Sequence, residues 1–313
     1  VRIKIKFGKK KAFLFPVLLL FFALAGMHIP AETAQNGDDA WRQELLRERE
    51  QKDIEFKTSA TSPMAGSMRL TVNAPGKTFI TILDGIVSAR PQQGTGTVFT
   101  VFFSQGKWYW DDAAPGVTCL LGEHAVAQIV EALPAGSLFR TGRFTLAVYP
   151  GPDLLALIVF DGQRQQVLEF KHLLYFLPDV RYAVKARLER FPEKKAVRIT
   201  TTRKLEKTFY RYGRVHFQLE GRKLELTALK SSLEGPDASA LFIPFKDATN
   251  GRESYEVGRF IDVEEPAGEE FILDFNRCYN PLCNYSPAYN CPLPPLENFL
   301  DAAVPAGEKV YPH

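Results

Sequence analysis

Residues 77–89 read KTFITILDGIVSA, two β-rich runs at 77–83 and 86–89 on either side of Asp84-Gly85. An Asp-Gly pair in that setting signals a two-residue hairpin, because both turn positions need positive φ and these residues tolerate it. Working outward, 98–103 and 107–111 form a second pair around Gln105-Gly106. Further strands are predicted at 117–121, 125–130, 143–149 and 154–160, the last ended by Asp161-Gly162. The stretch 170–179, FKHLLYFLPD, reads as a hinge. Beyond it, strands are predicted at 182–189, 196–202, 208–212, 215–219, 224–229, 240–244, 254–262 and 269–275, with Glu220-Gly221 and Asn250-Gly251 as turn signals and 215–219 with 224–229 as a hairpin. Many short strands separated by turn residues point to sandwiches or barrels. The expected fold is therefore mainly β, with two packed antiparallel sandwich- or barrel-like units. The first is expected over 61–165 and the second over 166–313, after a leader (1–34) and a helical segment (35–60).

Within that helical segment, 38–57 is dense in Arg, Glu and Lys, with Trp41, Leu45, Leu46, Ile54 and Phe56 as its apolar edge. Asn36 or Asp38 can cap it. The pattern predicts a solvated helix docking one edge on the body.

The chain has 313 residues, 45% of them hydrophobic and 24 of them Phe, enough for a large core. Its 39 basic and 36 acidic residues nearly cancel, and the net +3 depends on Arg2, Lys4, Lys6, Lys9, Lys10 and Lys11. The net charge is therefore no evidence for nucleic-acid binding, and no nucleic-acid partner is expected. The basic run precedes an apolar stretch from Ala12 to Gly26. At about fifteen residues, the stretch suits a signal peptide better than a span of ~20 residues. Ala23-Leu24-Ala25 offers a cleavage site, and the alternative is an uncleaved membrane anchor. Met27 stands where a lipoprotein would need cysteine. Either way the body is expected outside the cytoplasm, periplasmic or secreted, with the leader as its sole contact with the membrane.

Three of the four cysteines, Cys278, Cys283 and Cys291, fall in a proline-rich stretch from Asp274 to Asn298. Proline excludes a central strand or helix interior there, so the stretch reads as a rigid loop laid over a β core. An oxidising compartment favours disulfides. Of three possible connectivities, the preferred one joins Cys283 to Cys291 and leaves Cys119 to pair with Cys278 and tie the two β units together. A short-loop disulfide is worth roughly 2–3 kcal/mol. The spacing lacks the paired short intervals and fourth ligand of a zinc site, so no metal and no cofactor are expected.

A polar constellation lies just upstream of that loop and within it. Asp247, Glu253, Arg259 and Asp274 bracket neighbouring predicted strands, with Asn276 and Asn280 beside them. The functional reading makes Arg259 an anion binder and Glu253 or Asp274 a general base, with Asn276, Asn280 and His172 as binding residues. The structural reading makes them a buried ion pair and capped turns that hold the loop, since structural ion pairs cluster the same way. Trp108-Tyr109-Trp110 places two indoles on one strand face, which favours core filling over sugar stacking. Gly76-Lys77-Thr78 lacks the first glycine of a phosphate loop, and neither H-E-x-x-H nor G-x-S-x-G occurs.

FIPFKDATNGRESYEVGRFID (242–262), LDFNRCYNPLCNYSPAYNCPLPPLENFL (273–300) and AGEKVYPH (306–313) resemble a bacterial family catalogued as domain of unknown function 1684. The tryptophan helix, Ser62-Pro63 and YFLPDVRYAV (175–184) fit it as well. The resemblance implies Cys283 and Cys291 as the paired cysteines and carries over no established activity. The leading expectation is a non-catalytic extracytoplasmic domain that binds an envelope ligand or protein partner. The alternatives are a hydrolase working at Asp247, Glu253, Arg259 and Asp274, and a metal-binding protein through the cysteine cluster.

Overall fold

In the computed structural model, which describes residues 31–121, 124–126, 132–235 and 238–312 (the backbone alone for 31–36), the predicted turns close as the sequence requires. Asp84 and Gly85 take φ of 52° and 75°, Gln105 and Gly106 49° and 75°, and Glu220 and Gly221 49° and 78°. Each pair joins two antiparallel strands whose register is set by the turn.

The chain begins with α1 (Ala31–Thr58). It continues through β1 (Gly66–Asn73), β2 (Lys77–Leu83), β3 (Ile86–Arg90), β4 (Thr97–Ser104) and β5 (Lys107–Asp111). Next come β6 (Thr118–Leu121), β7 (His124–Val126), β8 (Ser137–Thr141), β9 (Phe144–Pro150) and β10 (Leu154–Asp161). A single helical turn, α2 (Gln165–Leu168), precedes β11 (Ala183–Arg190), β12 (Ala196–Thr200), β13 (Glu206–Leu219) and β14 (Arg222–Lys230). The series closes with β15 (Ala240–Phe245), β16 (Arg259–Glu264) and β17 (Glu270–Asp274).

These strands form three antiparallel sheets. A four-stranded sheet, β3-β2-β4-β5, packs on a six-stranded one, β1-β10-β9-β8-β6-β7. Their shared core holds Phe99, Phe139, Trp108, Leu146 and Leu157, with Phe99 and Phe139 stacked 4.0 Å apart. Trp108 is buried and its indole N–H donates to Gly151 O at 3.1 Å, while Trp110 meets Phe139 edge-on. The tryptophan pair thus fills the core. The third sheet, β16-β15-β14-β13-β11-β17 with β12 beside β13, builds its own core from Leu188, Val215, Leu226, Ile243, Phe245 and Phe275. The six-stranded sheet buries both faces: Ala147, Ile158 and Phe160 on its outer side meet Phe209, Phe242 and Phe260 of the third sheet and Tyr289 of the C-terminal loop. That is why β10 is apolar along nearly its whole length instead of alternating.

The fold is mainly β, as the strand pattern predicts, with corrections in detail. β1 and β8 are additional strands: β1 opens Gly-Ser-Met-Arg, and β8 has Leu138 and Phe139 as its only large apolar residues. Residues 254–258 belong to a turn, so β16 starts only at Arg259. The predicted strands at 208–212 and 215–219 are one strand, β13, with a bulge between Arg211 and Gly213. A Cβ at Gly213 would lie 2.6 Å from Glu189 O, so glycine there marks a close approach and not a turn. On α1 the buried edge is Trp41, Leu45, Arg49, Lys52 and Phe56, while Leu46 and Ile54 are about half exposed. A helix repeats every 3.6 residues, and the steps of three and four that join these five positions bypass 46 and 54. Residues 1–30 of the leader and residues 127–130 of a predicted strand lie outside the described residues, and 31–34 belong to α1.

Gly213→Ala should destabilise the fold by about 1–3 kcal/mol, because β13 would have to move off β11 to admit a methyl group. Urea denaturation is expected to show a lower midpoint at unchanged slope, and an unchanged midpoint would show that the bulge relaxes freely.

Candidate functional site

Asp247 follows β15, and its backbone is locked at once by short-range polar contacts. Its Oδ1 accepts from Thr249 N–H at 2.8 Å, its own N–H donates to Asn250 Oδ1 at 2.6 Å, and Thr249 Oγ1 meets Ser254 Oγ at 2.7 Å. The turn delivers the chain to Arg259 at the head of β16. Its Nη2 donates to Asp247 Oδ2 at 2.6 Å, to Val304 O at 2.7 Å and to Thr249 Oγ1 at 3.3 Å. Nη1 donates to Ala306 O and to Glu308 O at 3.4 Å. Asp247 Oδ1 also accepts from Val304 N–H at 3.2 Å. Both side chains of the pair have 0% exposure. Arg259 therefore pins the C-terminal tail, residues 304–308, against the third sheet.

Asp274 sits elsewhere, at the end of β17. Its Oδ2 accepts from Trp41 Nε1 at 2.8 Å and from Arg277, and its Oδ1 from Asn276 N–H at 3.0 Å and Asn276 Nδ2 at 2.9 Å. Asn276 also bonds both backbone groups of Asp179, at 3.0 and 2.8 Å. Asn280 donates through Nδ2 to Lys309 O at 2.7 Å and through its N–H to Glu308 Oε2 at 2.7 Å. Glu253 is exposed and only its carbonyl joins the tail, accepting from Val310 N–H at 3.1 Å. His172 is exposed, with Nδ1 2.9 Å from Leu173 O. The structure thus brings Asp247 to Arg259 and Asp274 to Asn276, and leaves Glu253 and His172 at the surface.

Sequence reasoning missed Glu308, Arg49 and Lys52. Buried Glu308 accepts from Lys52 Nζ at 2.5 Å and from Tyr285 OH at 2.7 Å. Arg49 donates to Phe176 O at 2.9 Å and Asn276 O at 3.3 Å, and lies 4.4 Å over the Tyr175 ring. Glu48 takes Arg277 Nε at 2.9 Å. The available signal was the helical period from Trp41 and Leu45, which puts positions 49 and 52 on the docked face despite their charge. A second cluster was missed as well. Glu265 accepts from Lys230 Nζ at 2.5 Å, Arg190 Nε at 3.0 Å and Tyr212 OH. Burial raises its pKa, but the Lys230, Tyr212 and Arg190 hydrogen bonds outweigh that and bring it down to about 2.

All four cysteines are unbonded. Cys119 belongs to the core of the first two sheets and Cys278 to that of the third, so the expected link between the β units is not formed. Cys283 and Cys291 are neighbours, with Cys283 N–H donating to Cys291 Sγ at 3.3 Å. Among the described residues no group of three or more His, Cys, Asp or Glu could hold a metal ion, and no helix is long and apolar enough to cross a membrane. Surface depressions of about 420 and 440 Å³ lie on the β13–β14 hairpin and beside Lys77 and Phe102, and none of the candidate site residues lines them.

Residues 168–309 match the sequence model of a family described as proteins of unknown function, DUF1684. This segment belongs to that family. The DUF1684 match begins just before the hinge and ends in the pinned tail, and so contains both Asp247–Arg259 and Asp274. The solution structure of an uncharacterised protein of Haloarcula marismortui is 35% identical, with 46% of this chain and 80% of that chain covered and a TM-score of 0.40. No curated protein matches the chain.

Two outcomes follow. Arg259→Met leaves Asp247 buried and unpaired, and should cost about 3–5 kcal/mol, measured by urea denaturation. Adding Asp247→Leu should restore part of that loss, and strict additivity of the two would deny the coupling. Glu265→Gln should be less stable than wild type by a constant amount above the ordinary carboxylate range. The gap should close as pH falls toward about 2, because a carboxylate with a depressed pKa gives up its contribution on protonation. A gap that stays constant down to pH 2 would rule out Glu265 as its source.

Proposed function

We propose that this chain is an exported domain that binds a ligand or protein partner in the cell envelope, its polar cluster being non-catalytic. The observation that carries the reading is the consumption of Asp247, Arg259 and Asp274 in internal contacts. A general base needs a free lone pair within reach of substrate, and an anion-binding arginine needs donors facing a cleft. Asp247 and Arg259 meet each other and the tail with no exposed side-chain surface, and Asp274 accepts four hydrogen bonds from Trp41, Asn276 and Arg277. The basic run followed by the apolar stretch at 12–26 supports export.

Two measurements test this reading. Residues 1–34 fused to a reporter that is active only outside the cytoplasm should yield active reporter, and silence of the fusion would refute export. The purified chain, assayed against ester, phosphoester, glycoside and amide substrates, should show no turnover that Glu253→Gln or Asp274→Asn abolishes. Turnover lost in either variant, with the fold retained, would establish the hydrolase instead.

A further inference from the structure

Two of the four thiols are arranged unlike the others. Cys283 and Cys291 are neighbours in the C-terminal loop. Tyr255 OH donates to Cys283 Sγ at 3.8 Å, Cys283 N–H donates to Cys291 Sγ at 3.3 Å, and Cys291 N–H donates to Thr202 Oγ1 at 3.1 Å. Cys283 is half-buried and Cys291 buried. The pair is chemically unequal. The Cys291 thiol, with Tyr255 and Thr202, stabilises a Cys283 thiolate and lowers its pKa against the effect of burial. Donation to Cys283 together with burial pushes Cys291 up. Cys119 and Cys278 are pushed up to about 11 by burial. A thiolate-favouring cysteine beside a protonated neighbour is the division between an attacking and a resolving thiol.

A second feature surrounds the same loop. Lys207 Nζ donates to Asn290 O at 3.0 Å and lies in the field of both Cys291 and Arg69. Arg203 donates to Pro287 O at 3.0 Å, and its charge is felt at Arg69. Among the described residues, none of Arg69, Arg203 and Lys207 has a carboxylate partner, whereas neighbouring Arg198 pairs with Glu206 at 3.2 Å. Burial is the main cause that lowers the pKa of Arg69 and Lys207, and like-charge neighbours add to it. An unneutralised group of cations attracts anions.

We propose that Cys283 and Cys291 are a redox-active dithiol that reduces disulfides carrying carboxylate groups, with Cys283 attacking, Cys291 resolving, and Arg69, Arg203 and Lys207 drawing the substrate in. The Cys283 thiolate attacks one sulfur of RS–SR. The substrate S–S bond breaks, the first RS⁻ leaves and takes up a proton from solvent, and a Cys283–SR bond forms. Cys291 loses its proton to solvent and attacks Cys283 Sγ. The Cys283–SR bond breaks, the second RS⁻ leaves and is protonated, and a Cys283–Cys291 disulfide remains. The substrate gains two electrons from the dithiol and two protons from solvent, while the dithiol gives solvent the Cys291 proton in these steps and the Cys283 proton when its thiolate forms. The disulfide expected from the sequence is then the oxidised state of this pair.

The test uses the full chain, reduced and then exposed to oxidised glutathione, with free thiols alkylated and peptides mapped by mass. The expected product joins Cys283 to Cys291 and leaves Cys119 and Cys278 alkylated. Cys291→Ser should trap glutathione on Cys283, and Cys283→Ser should trap about tenfold less on Cys291. Absence of the Cys283–Cys291 bond, or equal trapping in the two variants, would overturn the proposal. In case a variant does not fold, wild type is also read directly: iodoacetamide should modify Cys283 about tenfold faster than Cys291, and equal rates would overturn the assignment. Substrate class is read from cationic cystamine, with each rate divided by that of a free model thiol. Glutathione should be favoured by about tenfold, and Lys207→Gln with Arg69→Gln should erase the preference. Equal normalised rates in wild type would remove the carboxylate requirement.

Discussion

Arg259 carries a permanent charge to a place that water does not reach, and the rest of the C-terminal third is arranged to make that tolerable. A buried guanidinium is costly unless its donors meet acceptors and its charge meets a counter-charge. Asp247 supplies the charge, and the carbonyls of Val304, Ala306 and Glu308 supply most of the acceptors. Because those carbonyls belong to the tail, solvating Arg259 and closing the tail over the third sheet are one event. The approach is tight: a Cβ on Gly307, at φ +74°, would fall 2.3 Å from Cys278 Sγ. Phe245, Val304 and Ala306 join the core of the third sheet through this same closure.

The N-terminal helix extends the arrangement. α1 docks with Leu45 and Phe56 buried, but much of its contact is polar: Trp41 to Asp274, Arg49 to two backbone carbonyls, and Lys52 to Glu308. Such contacts give little net free energy each, yet their directions admit a single register of the helix on the body. Glu308 serves both layers, since its carbonyl accepts from Arg259 while its carboxylate takes Lys52, Tyr285 and the Asn280 N–H. The polar constellation that the sequence offers as a catalytic site is thereby spent on holding helix, loop and tail together. The cysteine loop brings together two neighbouring thiols, and Lys207 and Arg203, which have no carboxylate partner among the described residues, donate to its carbonyls.

Much of the strand layout was legible in the chain because the signals were local. Asp84-Gly85, Gln105-Gly106 and Glu220-Gly221 declare hairpins by their φ requirement alone, and the runs beside them are β-rich. β1 and β8 were not legible, since a strand opening Ser-Met-Arg acquires its identity only when β10 pairs with it. The predicted break between 212 and 215 is a bulge inside one strand, because Gly213 admits the neighbouring β11 backbone. For the site, the grouping of Asp247 with Arg259 could be inferred from spacing. That the pair is sealed under the tail could not, because the Ala306 and Glu308 carbonyls arrive from nearly fifty residues away.

Local chemistry was therefore enough to establish a mainly β chain, its hairpin turns, an N-terminal helix and an irregular proline-rich end, since turn dihedrals, strand propensity and proline's missing N–H act over a few residues. Long-range packing settled which face of α1 is buried, which polar groups are sealed, and that Cys119 and Cys278 lie in separate cores. Those outcomes depend on desolvation and on contacts between residues distant in the chain, and neither quantity exists until the sheets have closed on one another.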